Sequence, residues 1–109
     1  MANLVILESA QRELEEIAQL HKNLVGPHSA RNITDLILDT LSHVEMFPLS
    51  GHIPRDKELR NGGYRYVIAG KYICMYRLIG EEVYVYHIVH GARNYPTLFK
   101  RLLKEDCLD

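Results

Sequence analysis

The chain has 109 residues, enough for one small domain with a single core and too few for a separate cofactor-binding domain. Its formal net charge of −1 excludes a whole-molecule basic field, so any role on nucleic acid must rest on local clustering of cations. Two cysteines cannot build a disulfide framework, and no apolar run is long enough for a secretory core or a membrane span; a soluble chain in the reducing cytoplasm is expected.

In chain order, Asn3 to Leu7 reads as a short strand. Ser9 is a plausible N-cap for a first helix, along which Ala10, Leu14, Ile17, His21 and Leu24 recur on one face. Gly26-Pro27 stops that helix, and Ser29 is expected to open a second, with Ile33, Ile37, Leu41 and Val44 as its apolar stripe. Phe47-Pro48 closes it. Two amphipathic helices joined by a short turn form an antiparallel hairpin, and each needs a sheet on which to bury its stripe.

That sheet comes from the second half. Tyr64 to Ile68, Tyr72 to Leu78 and Val83 to His90 are rich in β-branched and aromatic residues, and the breaks between them are short enough for hairpins. Pro96 to Lys104 reads as a short final helix. The expected fold is α+β, a two-helix hairpin packed on one face of an antiparallel sheet of about four strands, in the order β-α-α-β-β-β-α. Phe47 to Gly63 shows no clear periodicity, and an unpatterned connection of that length in a small domain points to function.

Charge is unevenly spread. Glu8, Glu13, Glu15 and Glu16 gather near the N-terminus, while Arg55, Lys57, Arg60, Arg65, Lys71, Arg77, Arg93, Lys100, Arg101 and Lys104 lie in the second half. Strand alternation sets Tyr64, Tyr66 and Ile68 on one face and Arg65 and Val67 on the other. Arg65 is then either a rim cation snorkelling to water or a guanidinium fixed in a cleft. In the last strand, alternation groups Tyr84, Tyr86, Ile88 and His90 against Val83, Val85, His87 and Val89. His87 reads as a satisfied core histidine, whereas His90 ends the strand beside Gly91 and should be exposed.

The histidines and cysteines show no metal-ligand spacing. Gly62-Gly63 lacks the helix and lysine of a phosphate loop, and no serine elbow is present. No metal or cofactor is expected. What remains is a set of Arg, Lys, His and Tyr around the sheet edge and the long connection.

The order of elements, the run Leu59-Arg60-Asn61-Gly62-Gly63-Tyr64-Arg65 leading into the meander, Tyr72 to Tyr76, and Val83 to His90 followed by Gly91-Ala92-Arg93 resemble the RelE/ParE superfamily of toxins from bacterial type II toxin–antitoxin systems. The resemblance covers nearly the whole chain and implies the same α+β fold. It also implies one of two activities, since fold membership does not settle chemistry. RelE-like members cut mRNA in the ribosomal A site, whereas ParE-like members act against DNA gyrase and are not nucleases; ribosome-dependent mRNA cleavage is the expected activity here, with gyrase inhibition as the alternative.

On the RelE-like reading, an mRNA 2′-hydroxyl attacks the neighbouring phosphate without a metal, which requires a base, an acid and fixed cations. The resemblance then makes Arg65 and Arg93 the phosphate-binding pair. His90, Tyr95 and Lys57 are acid–base candidates, with Glu58 as a further loop option, and Arg55, Arg60 and Phe99 would help to hold substrate. His-Gly-Ala-Arg also matches the ending of ParE-like sequences. A decayed toxin acting only as a binding module is a third possibility. Each toxin reading implies a cognate antitoxin, with operator DNA bound only through the toxin–antitoxin complex.

Overall fold

The computed structural model describes residues 2–91 and 94–107. Its elements are β1 (Asn3–Ile6), α1 (Glu8–Leu24), α2 (Pro27–Met46), α3 (Lys57–Asn61), β2 (Tyr64–Ala69), β3 (Tyr72–Ile79), β4 (Glu82–His90) and α4 (Tyr95–Cys107). The expected order therefore holds, with one added short helix inside the long connection. Among the described residues no helix is long and apolar enough to cross a membrane.

The sheet order is β1-β4-β3-β2. The β2-β3-β4 meander is antiparallel as expected, but β1 joins β4 in parallel, pairing Asn3 with Glu82 through to Ile6 with Val85. The sheet is thus mixed. A parallel neighbour requires a crossover, and the α1–α2 hairpin supplies it.

Two helix boundaries differ from the sequence reading. Leu7, not Ser9, caps α1 without a side-chain bond, because the Leu7 amide still completes the β1–β4 ladder by donating to Val85 O at 3.1 Å. Strand passes directly into helix there, leaving no room for a separate cap. Pro27 is the first residue of α2, where its missing amide has no intrahelical partner to forgo. Gly26, at φ 136°, makes the turn between the helices in a backbone conformation that disfavours other residues.

Both faces of the sheet are covered: the α1–α2 hairpin takes one, as expected, and α3 and α4 take the other. On the hairpin face, Ala10, Ile17, Ile37, Leu41 and Val44 of α1 and α2 pack on Ala69, Tyr72, Cys74, Tyr76, Val83, Val85 and Ile88. On the opposite face, Leu59 of α3 and Phe99 of α4 pack on Ile73 and Met75, rimmed by Tyr64, Tyr66, Tyr86, Val89 and Tyr95. Ile73, Met75 and Val89 make that second face too apolar to leave bare, so α3 and α4 are drawn onto it.

The alternation expected for β4 fails halfway along. Tyr76 pairs with Val85 and Met75 with His87, so Tyr86 is an extra residue forming a bulge. Beyond it the faces exchange: Ile88 joins the hairpin-side core with Val85, while Val89 packs on the opposite side. β1 has ended by this level, and Glu13 of α1 takes the place of a neighbouring strand. Its carboxylate accepts from the Ile88 amide at 3.1 Å and from His87 Nδ1 at 3.0 Å. His87 is thereby the hydrogen-bonded core histidine expected, 2 % exposed.

Candidate functional site

Arg65 lies opposite Tyr76 on the hairpin face of the sheet. Its Nη1 donates to Leu49 O at 3.2 Å and to Gly51 O at 3.1 Å. Beside it the buried Tyr76 hydroxyl donates to Pro48 O at 2.8 Å and accepts from the Gly51 amide at 3.0 Å. Burial pushes the Tyr76 phenol up, so it stays a protonated donor. Together the two side chains pin residues 48–51 where the connection leaves α2. Gly51 is required by this closeness: a Cβ there would lie 2.7 Å from Tyr76 Cε1. From this clamp the chain rounds the β2 edge through a bridge between His52 and Tyr66 and arrives on the opposite face as α3.

Asp56 starts α3. One carboxylate oxygen accepts from the Leu59 amide at 3.1 Å, and the other takes Lys100 Nζ of α4 at 2.8 Å. The Lys100 contact and the Leu59 amide hold the Asp56 carboxyl below its ordinary range, and Asp56 in turn pushes Lys100 up. Lys57 and Arg60 are exposed on α3, Arg55 is exposed just before it, and Arg60 Nη1 donates to Arg55 O at 3.3 Å. At the start of α4, Tyr95 sets its ring 5.3 Å from that of Tyr66, which stacks on His52 at 5.0 Å. Burial, then the Tyr66 hydroxyl, push the Tyr95 phenol up. Near neutrality Tyr95 can give a proton but cannot serve as a base.

Other expected site residues are placed elsewhere. His90 is exposed, as expected, at the end of β4 on the hairpin side, its ring 5.5 Å from that of Tyr72. Tyr72 hydrogen-bonds His21 Nε2 at 3.0 Å, and His21 Nδ1 meets Ser29 Oγ at 3.1 Å, tying the helix turn to β3. Arg65 and His90 pair with β3 at Tyr76 and Tyr72, four residues apart, or about 13 Å along the strand. Phe99 is 1 % exposed and belongs to the core of the α4 face, which corrects its expected role in holding substrate. Arg93 lies outside the described residues. The structure thus brings Arg55, Lys57, Arg60 and Tyr95 to one edge of the α3–α4 face, and puts Arg65 and His90 on the other face.

A second group on the α3–α4 face was not singled out from the sequence. Arg77 of β3 lies between two tyrosines, its guanidinium carbon 4.8 Å from the ring centre of Tyr64 and 5.4 Å from that of Tyr86. Nη2 donates to the Tyr86 hydroxyl at 2.8 Å and Nη1 to Gly62 O at 3.3 Å, while Nε is buried without a hydrogen-bond partner. Tyr84, directly opposite Arg77 in the ladder, gives its hydroxyl to the Glu82 carboxylate, which pushes the Tyr84 phenol up. The available signal was an arginine inside an otherwise apolar strand, facing strands with tyrosine at alternate positions.

Residues 4–95 match the family model for the ParE toxin of the type II toxin–antitoxin system parDE. The fold resembles the chromosomal ParDE toxin–antitoxin system from P. aeruginosa, with a TM-score of 0.70 at 18 % identity, covering 83 % of this chain and 96 % of that one. It also resembles the toxin–antitoxin complex RelBE2 from Mycobacterium tuberculosis, with a TM-score of 0.61 at 17 % identity, covering 82 % and 96 %. At these identities the two structures share the fold. No curated protein sequence matches the chain.

Proposed function

The chain belongs to the ParE toxin family of type II toxin–antitoxin systems, and from that premise we propose that it poisons DNA gyrase by direct binding and does not cleave mRNA. The observation that carries this reading is the placement of Arg65, anchored through Nη1 to the backbone of residues 49 and 51 on the face of the sheet opposite Lys57 and Tyr95. Cleavage by 2′-hydroxyl attack needs cation, base and acid within hydrogen-bond reach of one phosphate. Arg65, His90, Lys57 and Tyr95 do not converge on such a point. The net charge of −1 fits the same reading, because it supplies no long-range attraction to RNA.

The antitoxin docks on apolar surface that the fold leaves open. Leu20, Leu24 and Val25 are half or more exposed at the helix turn. Leu20 also lines a cleft of about 640 Å³ between α1 and α4, with Ile17, Leu98 and Leu102 as its apolar members and Glu13, Glu16, His90 and Arg101 among its polar ones. A helical antitoxin segment fits such a groove. Operator DNA is bound by the complex, through the antitoxin.

The test pairs two assays on one preparation. Purified toxin should abolish supercoiling by gyrase and leave mRNA intact in a translating extract, with added antitoxin restoring supercoiling. Site-specific mRNA cuts that depend on ribosomes, with supercoiling untouched, would replace this reading by the nuclease.

A further inference from the structure

We propose that Arg77, held between Tyr64 and Tyr86, is the anchor by which this chain grips its target protein, and that its ligand there is a carboxylate on an acidic segment of that protein. The inference rests on the gyrase-directed reading and names the contact that serves it.

Three features of the cluster support a carboxylate. A guanidinium carries five N–H donors. Here Gly62 O and the Tyr86 hydroxyl accept one from each terminal nitrogen and both acceptors are neutral; Nε is buried without a partner, so the second hydrogen on each terminal nitrogen is what a ligand can take. No carboxylate of the described residues pairs with Arg77; Glu82, on the strand opposite, gives its charge to Tyr84 instead. The two rings fix the guanidinium plane before any ligand arrives, so little side-chain entropy remains to be lost on binding. Prearranged N–H donors of this kind take a carboxylate in two parallel bonds.

The surroundings point to a protein as the source of that carboxylate. Tyrosine and arginine are the residues most enriched where binding energy concentrates in protein interfaces. Tyr64, Tyr84 and Tyr86 are each partly exposed beside Arg77. A phosphate backbone calls for cations lined up along it, and the charged group beside Arg77 on β4 is Glu82. The exposed Arg55, Lys57 and Arg60 of the same face belong to α3 and the turn before it, and the DNA-binding arm of the test below addresses them.

The test measures the toxin concentration that half-inhibits gyrase supercoiling for the wild type, Arg77→Gln and Arg77→Lys, with thermal midpoints recorded for each. Arg77→Gln should raise that concentration roughly 30-fold or more. Arg77→Lys keeps the charge over the rings but loses the fork, and should also weaken inhibition, by a smaller factor. If Arg77→Gln does not fold, the lysine variant carries the comparison. A folded variant that inhibits as well as the wild type overturns the proposal while leaving the gyrase reading intact. A wild type that fails to inhibit removes the reading and the proposal together. Binding of a fluorescent DNA duplex is measured in parallel: affinity that falls with Arg77→Gln would make the ligand a phosphate and also overturn the proposal, whereas no Arg77-dependent binding supports it.

Discussion

Replacing Arg65 with alanine separates a scaffold arginine from a catalytic one. The substitution removes two hydrogen bonds, to Leu49 O and Gly51 O. Their loss is unequal. Leu49 is 65 % exposed and its carbonyl can turn to water, whereas Gly51 is buried and cannot readily do so. A net hydrogen bond contributes about 1 kcal/mol, and a buried acceptor left unsatisfied costs about 1–3 kcal/mol. Because Arg65 is itself partly exposed, its charge adds little beyond that. The expected cost is therefore about 1–3 kcal/mol, or a thermal midpoint lower by roughly 5–20 °C for a domain of this size. Urea unfolding should show the lower midpoint with an unchanged slope, since the folded core is otherwise intact. Assayed well below its midpoint, the variant should still inhibit gyrase. An unaltered stability combined with lost activity would refute the argument, because Arg65 would then be acting directly on the target or substrate.

Glu13→Ala leaves the Ile88 amide and the buried His87 ring without their acceptor, and should cost about 2–3 kcal/mol in a denaturant titration, with Glu13→Gln recovering part of it. The Asp56–Lys100 pair should impose a pH window on stability. The Asp56 carboxyl, held below 3.8 by Lys100, contributes above that value and loses its contribution as pH falls through its lower folded pKa. Lys100, pushed above 10.5 by Asp56, contributes below that value and loses its contribution as pH rises through its higher folded pKa. Lys100→Met should flatten both limbs of the pH profile, read from thermal midpoints. The Cys74 thiol, fully buried and pushed up to about 12 by that burial, should resist alkylation at mildly alkaline pH until urea unfolds the chain, as mass spectrometry of its peptide would show.

The helix hairpin and the meander were legible because their signals are local. Apolar spacing in 27–46 and the alternating β-branched and aromatic runs from Tyr64 onward each reflect the burial of one face of one element. What could not be read depends on partners distant in sequence. The bulge at Tyr86 carries no glycine to announce it, and it exchanges the two faces of β4 only because Val85 and His87 are held by β3. Helix α3 is five residues long, too short for periodicity, and its one mark was Asp56 at the capping position. Arg65 was open to two readings at the outset, and the choice between them was made by the carbonyls of residues 49 and 51, which no local pattern brings to it.

The bulge also bears on the recognition surface. Before it, strict alternation holds Tyr84 on the side of Arg77, where the two pair across the ladder. At the bulge, Tyr86 is freed from pairing, and its ring and hydroxyl close over Arg77 from the β4 side while Tyr64 closes from β2. An unbulged β4 would keep one alternation along its length, leaving His87 and Val89 with the hairpin core and withdrawing the packing that Val89 gives the opposite side. The extra residue therefore does two things at once: it lets α4 have an apolar seat at one end of that face and leaves a tyrosine-flanked cation at the other. A chain with a net charge of −1 offers no whole-molecule field to a partner, so fixed contacts of that kind are where the proposed recognition would concentrate.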